Sequence, residues 1–407
     1  MLLLSSCSLL LADDLKQSPE ANGTLDGGPR DGDGAPIGEG GRDGSTTDGA
    51  SSTLRRPLGP LVLNVNGDLI STRVEGFFGL EFAGSRSWKP TRLLDLGLPD
   101  NDKTATMPLA SALFEPFSAT IEGKTVATST DADWGYFQLV DETPVRVAFT
   151  TWAHHYLPSG ADAKIWTDWT IYASGRVVAQ ARVQNVGTAA LALPSDWRHT
   201  GTSVDTTRTW NVAEAPDARS ATFYHDDPSG LGTTTLLQDT PAKLGASSPA
   251  ERHWQGSAQT LAEGESVTKV NELHFGVVPD EALARVADAQ RPALDALSNV
   301  SQIDLGYDLT KAAYRLRVLA AGPATMTFSL STALLRAYPA FELDDLDAPN
   351  GWRVQLDGQT IASSSATVTP LGVGRYAAAD RRLLFVYFGT IAPDVPASKR
   401  MFTVERL

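Results

Sequence analysis

The sequence predicts an all-β protein: a large antiparallel β-sandwich, joined by a short helical connector to a smaller C-terminal β-sandwich. Short apolar alternations broken by Gly, Pro, Asn and Asp recur from Leu61 onward, which is typical of antiparallel sandwiches. One segment, residues 279–299, instead has apolar residues at helical spacing. The chain has 407 residues, 42% of them hydrophobic, and is long enough for two domains or one large β domain.

Residues 1–12 are interpreted as the remnant of a lipoprotein signal. Leu4, Ser5, Ser6 and Cys7 resemble the lipobox of bacterial lipoproteins, in which the cysteine is acylated after cleavage. A signal peptide needs a longer apolar stretch than precedes Ser5, so the natural start is expected further upstream. The alternative is a chance cysteine in an apolar leader. Ser8 resembles an outer-membrane sorting residue, and we expect a lipid-anchored protein of the bacterial cell envelope, at the outer membrane or cell surface.

Residues 13–57 are expected to form a flexible tether. They are rich in Gly, Asp and Ser and almost free of apolar residues, so they cannot bury enough surface to offset the entropy lost on ordering. The net charge of −14 and the lack of any cluster of Lys and Arg exclude nucleic acid as a partner, because phosphate binding needs a basic surface.

Residues 58–277 are assigned to the main β-sandwich. A first strand from Leu61 leads into Asn66-Gly67, a hairpin signal because both residue types tolerate positive φ. Further strands are predicted at 77–82, 118–121, 124–128, 135–140, 145–152, 165–172, 177–184, 221–224, 233–237 and 267–275. These segments are short and closely spaced, as strands of antiparallel sheets are.

Residues 278–300 are assigned to a helical connector and residues 301–407 to the second sandwich. Pro279 and two acids precede Leu283 and Val286, as at a helix N-terminus. Pro292 is expected to end or kink the helix. Strand patterns then return, with Asp357-Gly358 joining two strands as a hairpin.

Residues 164–185 predict a β-hairpin whose register depends on the length of its turn. A two-residue turn at Ser174-Gly175 would mix apolar and polar side chains on both faces. A three-residue loop, 173–175, places Gly175 at the left-handed position and pairs Ile171 with Val177. The apolar side chains then share one face, and since a buried face fixes register, we expect the three-residue loop.

The opposite face of this hairpin is the predicted ligand-binding surface. Its side chains are Trp166, Asp168, Tyr172, Arg176, Gln180 and Arg182. Flat aromatic rings cover the C–H side of a pyranose, while fixed polar groups bind its hydroxyls. The alternative is that a second sheet, loop or domain covers this face and makes it a secondary core.

Other candidate residues are fewer. His154, His155 and Tyr156 are candidates for proton transfer, since His and Tyr serve in acid–base catalysis. The acidic residues Glu342, Asp344, Asp345 and Asp347 are a candidate for structural Ca²⁺, and a solvated loop is the simpler interpretation. No zinc motif, nucleophile elbow or phosphate loop occurs, so no metal site or cofactor is predicted.

The hairpin resembles part of the galactose-mutarotase-like supersandwich of mutarotases and polysaccharide lyases. The resemblance depends on residues 169–172, 174–176 and 183–185, where a strand turns at glycine and its partner ends in asparagine. It implies a polysaccharide partner and, for a lyase, Tyr156 with a nearby histidine as the catalytic residues and Arg182 neutralising a uronate.

Three functions follow from these observations. The first is an envelope-anchored lipoprotein that binds polysaccharide on the Trp166–Arg182 face. The second is a polysaccharide-processing enzyme, a lyase or sugar epimerase. The third is a structural envelope protein in which that face is buried.

Overall fold

The computed structural model is all-β, as the sequence predicts. It describes residues 60–83, 88–95, 106–108, 114–128, 133–203, 211–214, 220–224, 233–237, 243–246, 248–275, 294–295, 302–319, 325–330, 336–348, 350–363, 373–375, 382–386, 390–391 and 401–407. None of these residues is helical. No helix long and apolar enough to cross a bilayer is present among them.

The first and larger group of strands runs to Phe275. Its members are β1 Leu61–Asn66, β2 Leu69–Val74, β3 Phe78–Ala83, β4 Lys89–Asp95, β5 Thr106–Pro108, β6 Phe114–Glu115, β7 Ser118–Ile121, β8 Lys124–Ala127, β9 Trp134–Glu142, β10 Arg146–Tyr156, β11 Asp162–Tyr172, β12 Arg176–Asn185, β13 Leu191–Leu193, β14 Arg198–Ser203, β15 Asn211–Glu214, β16 Ser220–Tyr224, β17 Thr233–Leu237, β18 Lys243–Gly245, β19 Glu251–Gln255, β20 Gln259–Leu261 and β21 Ser266–Phe275.

The second group forms the C-terminal part. Its members are β22 Leu294–Asp295, β23 Gln302–Asp308, β24 Ala313–Val318, β25 Thr325–Leu330, β26 Arg336–Ala337, β27 Ala340–Asp344, β28 Trp352–Leu356, β29 Gln359–Ser363, β30 Val373–Arg375, β31 Leu383–Val386, β32 Thr390–Ile391 and β33 Met401–Arg406. Ten of them build two five-stranded sheets, in the orders β22-β25-β33-β28-β29 and β23-β24-β27-β31-β30, and β26 pairs with β32. Apart from the parallel pair β24–β27, the neighbours in these two sheets are antiparallel.

An eight-stranded antiparallel sheet, in the order β15-β16-β17-β21-β12-β11-β10-β9, forms the centre of the larger part. One face, which we call the inner face, carries the apolar side chains. Near the β11–β12 turn it packs on the five-stranded sheet β1–β5, for example Trp169 against Phe82, with ring centroids 5.0 Å apart. At the other end, Ile165 and Val183 pack with Phe117 and Trp197. Along β11 and β12 the inner face is therefore buried over the whole length of the hairpin, so in this part of the sheet the outer face is the one that remains for a ligand.

The two β parts share apolar core. Ala313, Tyr338 and Leu384 of the C-terminal part belong to the same buried cluster as Phe78 and Ile171. The C-terminal part also has a core of its own, with Phe341, Phe385 and Phe402 in mutual ring contact. Residues from β24 onward thus add to the larger sandwich as well as forming the smaller one.

Most of the predicted connector, and the whole of residues 1–57 with Cys7, lie outside the described residues. Within the connector, Leu294 and Asp295 are described, and they form strand β22, which pairs with β25. The helix predicted over residues 279–299 is therefore wrong at Leu294 and Asp295, and the domain boundaries and the rest of that helix stay predictions.

The three-residue turn predicted at 173–175 is confirmed. Gly175 has φ +79°, and its amide donates to the Tyr172 carbonyl over 3.0 Å. Ile171 pairs with Val177, and Trp166 with Arg182. Since side chains alternate along a strand, this register places the rings and guanidinium of the hairpin on the outer face.

Replacement of Gly175 by alanine is expected to lower the free energy of unfolding by about 2–4 kcal/mol, because an L side chain is strained at positive φ and overpacks its neighbours. An added Cβ would lie 3.2 Å from side-chain atoms of Phe275 and Phe77. Gly123 is the matched control, with φ +78° and nothing within 4 Å of its Cβ position. Urea denaturation of both variants is the measurement, and equal losses would contradict the packing argument.

Candidate functional site

The outer face presents a row of aromatic rings and cations across four strands. The cross-strand pairs Tyr136–Trp152, Trp152–Trp166 and Trp166–Arg182 are set by the registers of β9 to β12. Lys164 lies beside this row on β11. We call these five residues, Tyr136, Trp152, Lys164, Trp166 and Arg182, the aromatic–cation strip.

The members of the strip contact one another directly. The Lys164 Nζ lies 4.1 Å from the ring centroid of Trp152 and 4.3 Å from that of Trp166. The Arg182 Cζ lies 4.4 Å from the Trp166 ring, and the rings of Tyr136 and Trp152 are 5.8 Å apart. Each cation over an indole contributes about 0.5–2 kcal/mol, so the contacts hold the strip in place before a ligand arrives.

The strip carries positive charge that is not neutralised by any carboxylate among the residues that the structure describes. Within the described part of the chain, neither Lys164 nor Arg182 forms an ion pair. Partial burial lowers the pKa of the Lys164 ammonium, and the positive charge of Arg182 lowers it further. Both effects penalise the charged form of Lys164. An anionic group bound at the strip would stabilise that charged form and so oppose both effects.

Asp168 and Gln180 form the neighbouring row on the outer face. They pair with each other across β11 and β12, and the Thr150 hydroxyl donates to Asp168 Oδ1 over 2.5 Å. Asp168 is exposed and Gln180 is partly exposed. Beside the strip, this row supplies hydrogen-bond acceptors and donors suited to hydroxyl groups.

Tyr172 and Arg176 lie on the outer face but are not part of an open surface, which corrects the sequence prediction. They are 1% and 2% exposed. The Tyr172 hydroxyl donates to the Lys311 carbonyl, and Arg176 Nη1 donates to the Ala312 carbonyl over 3.4 Å. Burial raises the pKa of Tyr172 to about 12, which keeps this hydroxyl protonated.

The outer face therefore divides in two along the strands. Near the turn, the chain around Thr310 to Ala312 covers it, so that the secondary-core interpretation holds there. Further along, Trp166 and Trp152 remain partly exposed and Tyr136 is 48% exposed. An open surface with two tryptophans and a tyrosine remains.

The three candidates for proton transfer separate into two groups. His155 points to the inner side, is 0% exposed and has Nε2 3.2 Å from the Ala127 carbonyl oxygen, so a bound substrate cannot reach it and this candidate is wrong. His154 and Tyr156 lie together on the outer face, with ring centroids 4.5 Å apart. Burial lowers the pKa of His154, opposed by Asp162, whose Oδ2 is 3.9 Å from its Nε2.

Three of the four acidic residues considered for Ca²⁺, Glu342, Asp344 and Asp345, face cations of the chain. Glu342 is 0% exposed and lies 3.4 Å from Arg146 and 3.2 Å from Lys311. Asp344 Oδ2 accepts from Arg315 Nη2 over 2.6 Å. In the described ranges, no group of three His, Cys, Asp or Glu residues has the arrangement of a metal site.

Tyr136, Trp152 and Lys164 were missed as site residues by the sequence analysis. The signal for Tyr136 and Trp152 was the alternation of aromatic and polar residues in β9 and β10, where Gln138 and His154 follow two residues after Tyr136 and Trp152. The alternation gives each strand a face, but the register between β9, β10 and β11 is needed to bring the rings together.

No protein family matches the sequence, and no curated protein is similar to it at a significant level. Solved structures of similar fold include a putative aldose 1-epimerase from Klebsiella pneumoniae (9% identity, 59% of this chain and 90% of that one, TM-score 0.38). They also include a galactose mutarotase-like protein from Lactobacillus casei (11% identity, 53% and 99%, TM-score 0.30) and a polysaccharide lyase (10% identity, 84% and 45%, TM-score 0.34). The chain thus spans less than half the length of that lyase, and its function is proposed from the side chains of the strip itself.

Proposed function

We propose that this protein binds a polysaccharide on the aromatic–cation strip. The observation that carries the proposal is the row Tyr136–Trp152–Trp166, in which Tyr136 is exposed and both tryptophans are partly exposed. Exposed aromatic rings are unfavourable in water, so a group of them on a surface indicates a binding site. With Arg182 on β12, the strip crosses four strands and spans about 14 Å, which suits several units of an extended glycan.

The cations of the strip favour a glycan that carries carboxylates or sulfates. Lys164 and Arg182 are not neutralised within the described residues, while the whole chain has a net charge of −14. A polyanion is repelled by most of such a surface and attracted where positive charge is concentrated. The strip combines ring faces for the sugar with charge for its acidic groups.

Affinity electrophoresis in gels containing alginate, chondroitin sulfate or the neutral glucan laminarin tests the proposal. We expect retardation in at least one of the two acidic polymers, and retardation that shrinks as salt is raised because salt screens the exposed cations. Unchanged mobility in all three polymers would overturn the proposal.

The double variant Lys164→Gln/Arg182→Gln is expected to bind the acidic polymer about tenfold or more weakly, because two charge-assisted contacts are lost. The variant keeps the tryptophans, so any binding of laminarin should change little. Lys269→Gln/Arg317→Gln, with the same charge change outside the strip, is the control. An equal loss in both double variants would show a general charge effect in place of a site.

A lyase or epimerase is the second candidate function, favoured by the contact of His154 with Tyr156 next to Lys164 on β10 and β11. In a lyase, one residue removes the proton adjacent to a uronate carboxylate and the other protonates the leaving glycosidic oxygen. The product gains a carbon–carbon double bond conjugated to the carboxylate. Incubation with alginate and polygalacturonate should then raise the ultraviolet absorbance, and Tyr156→Phe should abolish the rise; no rise with wild-type protein would exclude a lyase acting on these polymers.

We also propose that Cys7 carries a lipid that anchors the protein in the cell envelope of a bacterium. The support is the lipobox-like sequence before Cys7 and the tether-like composition that follows it. Metabolic labelling with a palmitate analogue tests this in cells that express the natural gene. Label that persists in Cys7→Ser would contradict it.

A further inference from the structure

We propose that the cavity beside the strip binds the terminal sugar of the glycan, so that the protein recognises chain ends. This inference rests on the proposed function. The cavity, of about 260 Å³, opens on the outer face where the C-terminal part meets β10 and β11, and its lining includes Thr150, Asp168, Thr310, Lys311 and Arg382.

The cavity continues directly from the strip along the same two strands. On the outer face, the pair Trp152–Trp166 is followed by Thr150–Asp168 and then by Ala148–Thr170. The second and third pairs line the cavity. Side chains on one face of a strand are spaced by about 6.7 Å, so the cavity begins one residue pair from the two tryptophans.

The far end of the cavity is closed by the C-terminal part. The Thr170 hydroxyl donates to the Thr310 carbonyl over 3.2 Å, and the Tyr172 hydroxyl donates to the Lys311 carbonyl. This hydrogen-bonded backbone blocks a glycan from continuing along β11 toward the turn. In the opposite direction, Tyr156 is 49% exposed, and a glycan can leave past it into solvent.

The lining suits a polyhydroxylated ring. Asp168 accepts hydrogen bonds, while Lys311 and Arg382 donate them, so adjacent hydroxyls find both kinds of partner. Lys311 lies 3.2 Å from Glu342 and Arg382 lies 3.6 Å from Asp344, which leaves little uncompensated charge. Because sites for drug-sized ligands measure about 300–1,000 Å³, the smaller volume of this cavity, about 260 Å³, suits a single sugar unit.

The stoichiometry of binding separates chain-end recognition from binding along the chain. We would titrate the protein by calorimetry with a hexamer and with a long-chain fraction of alginate, and with matching fractions of laminarin. Chain-end recognition predicts the same number of proteins bound per chain at both lengths. Binding that rises in proportion to chain length would overturn the inference and leave the proposed function intact, whereas no binding to any fraction would overturn both.

A cavity-filling variant gives a second, independent test. Thr150→Phe places a ring in the cavity and is expected to weaken binding of the hexamer about tenfold or more. Thr125→Phe, at an exposed position of β8, is the control. If Thr150→Phe fails to fold, Asp168→Asn serves in its place. It replaces one carboxylate oxygen acceptor without changing the shape of the side chain, and it should also weaken binding of the hexamer. Hexamer affinity equal to wild type in a folded Thr150→Phe or Asp168→Asn would contradict the assignment.

Discussion

Arg146→Ala is expected to lower the free energy of unfolding by about 3–5 kcal/mol, because it removes the partner of the mostly buried Asp141 and one of the ion-pair partners of the fully buried Glu342. The guanidinium is 3% exposed and donates to Asp141 Oδ2 from Nε over 3.1 Å and from Nη2 over 2.8 Å. Its Nη1 donates to Glu342 Oε2 over 3.4 Å, and Glu342 is 0% exposed. Without Arg146, only Lys311 would remain, in the described part of the chain, as an ion-pair partner of Glu342.

Loss of Arg146 should change the pKa of a neighbouring carboxyl group as well as the free energy of unfolding. Burial already raises the pKa of Asp141, and Arg146 opposes that rise, so the pKa of Asp141 should rise further in the variant. Arg353→Ala is the matched control: its ion pair with Glu405 is partly exposed, at 38% and 30%, and such pairs contribute about 0–1 kcal/mol. Urea denaturation checks both variants, and a loss below about 1 kcal/mol for Arg146→Ala would show that these charges are not buried as described.

Trp166→Ala is expected to weaken glycan binding by about 30-fold or more, because truncation of a central aromatic residue costs about 2 kcal/mol or more in an interface. The Trp166 ring contacts Lys164 on its own strand, β11, and Arg182 on β12. Loss of the ring therefore also removes a contact that positions each of these two cations. Calorimetric titration with the retained polymer is the measurement. Met401→Ala, which truncates a side chain 47% exposed in the C-terminal part, should bind as the wild type does.

The stability of Trp166→Ala should fall little, because the ring is only partly buried on the outer face and partly exposed positions tolerate truncation. If the affinity of Trp166→Ala for the polymer is within threefold of the wild-type affinity, Trp166 is not part of the binding site. A variant that unfolds would instead show that the ring is structural, and Trp166→Phe, which keeps a ring, then distinguishes packing from ligand contact.

The local geometry of the hairpin could be predicted from sequence because it depends on a few adjacent residues. Gly175 at positive φ and the apolar alternation from Ile165 to Val183 leave one register that places the aliphatic core residues of both strands on the same buried face. The all-β class follows from the same short alternations along the chain. These are local patterns, and the structure confirms them.

The extent of the open surface could not be predicted, because it depends on contacts between distant parts of the chain. Tyr172 is covered by Lys311, 139 residues away, and Arg176 by Ala312, 136 residues away. No alternation within β11 or β12 indicates that this end of the hairpin is covered and the Trp166 end is not. The exclusion of His155 is similar. Alternation along the strand places His155 on the face opposite His154, but its burial depends on contacts with residues near Ala127.

The strip itself shows which information was missing. Lys164 lies two residues before Trp166 and shares its face by simple alternation, yet its second contact, with Trp152, depends on the pairing of β10 with β11. Tyr136 joins only through the pairing of β9 with β10. A sequence gives the faces of single strands, whereas a binding surface across four strands requires their registers.

A panel of immobilised glycans, probed with wild-type protein and with Trp166→Ala, tests most directly whether exposed rings on this sheet hold a sugar chain. The wild type should be retained by at least one carboxylated or sulfated polymer, and Trp166→Ala should lose that retention while keeping its fold. Retention of neither protein by any glycan, or equal retention of both, would contradict the assignment of the aromatic–cation strip as a glycan-binding surface.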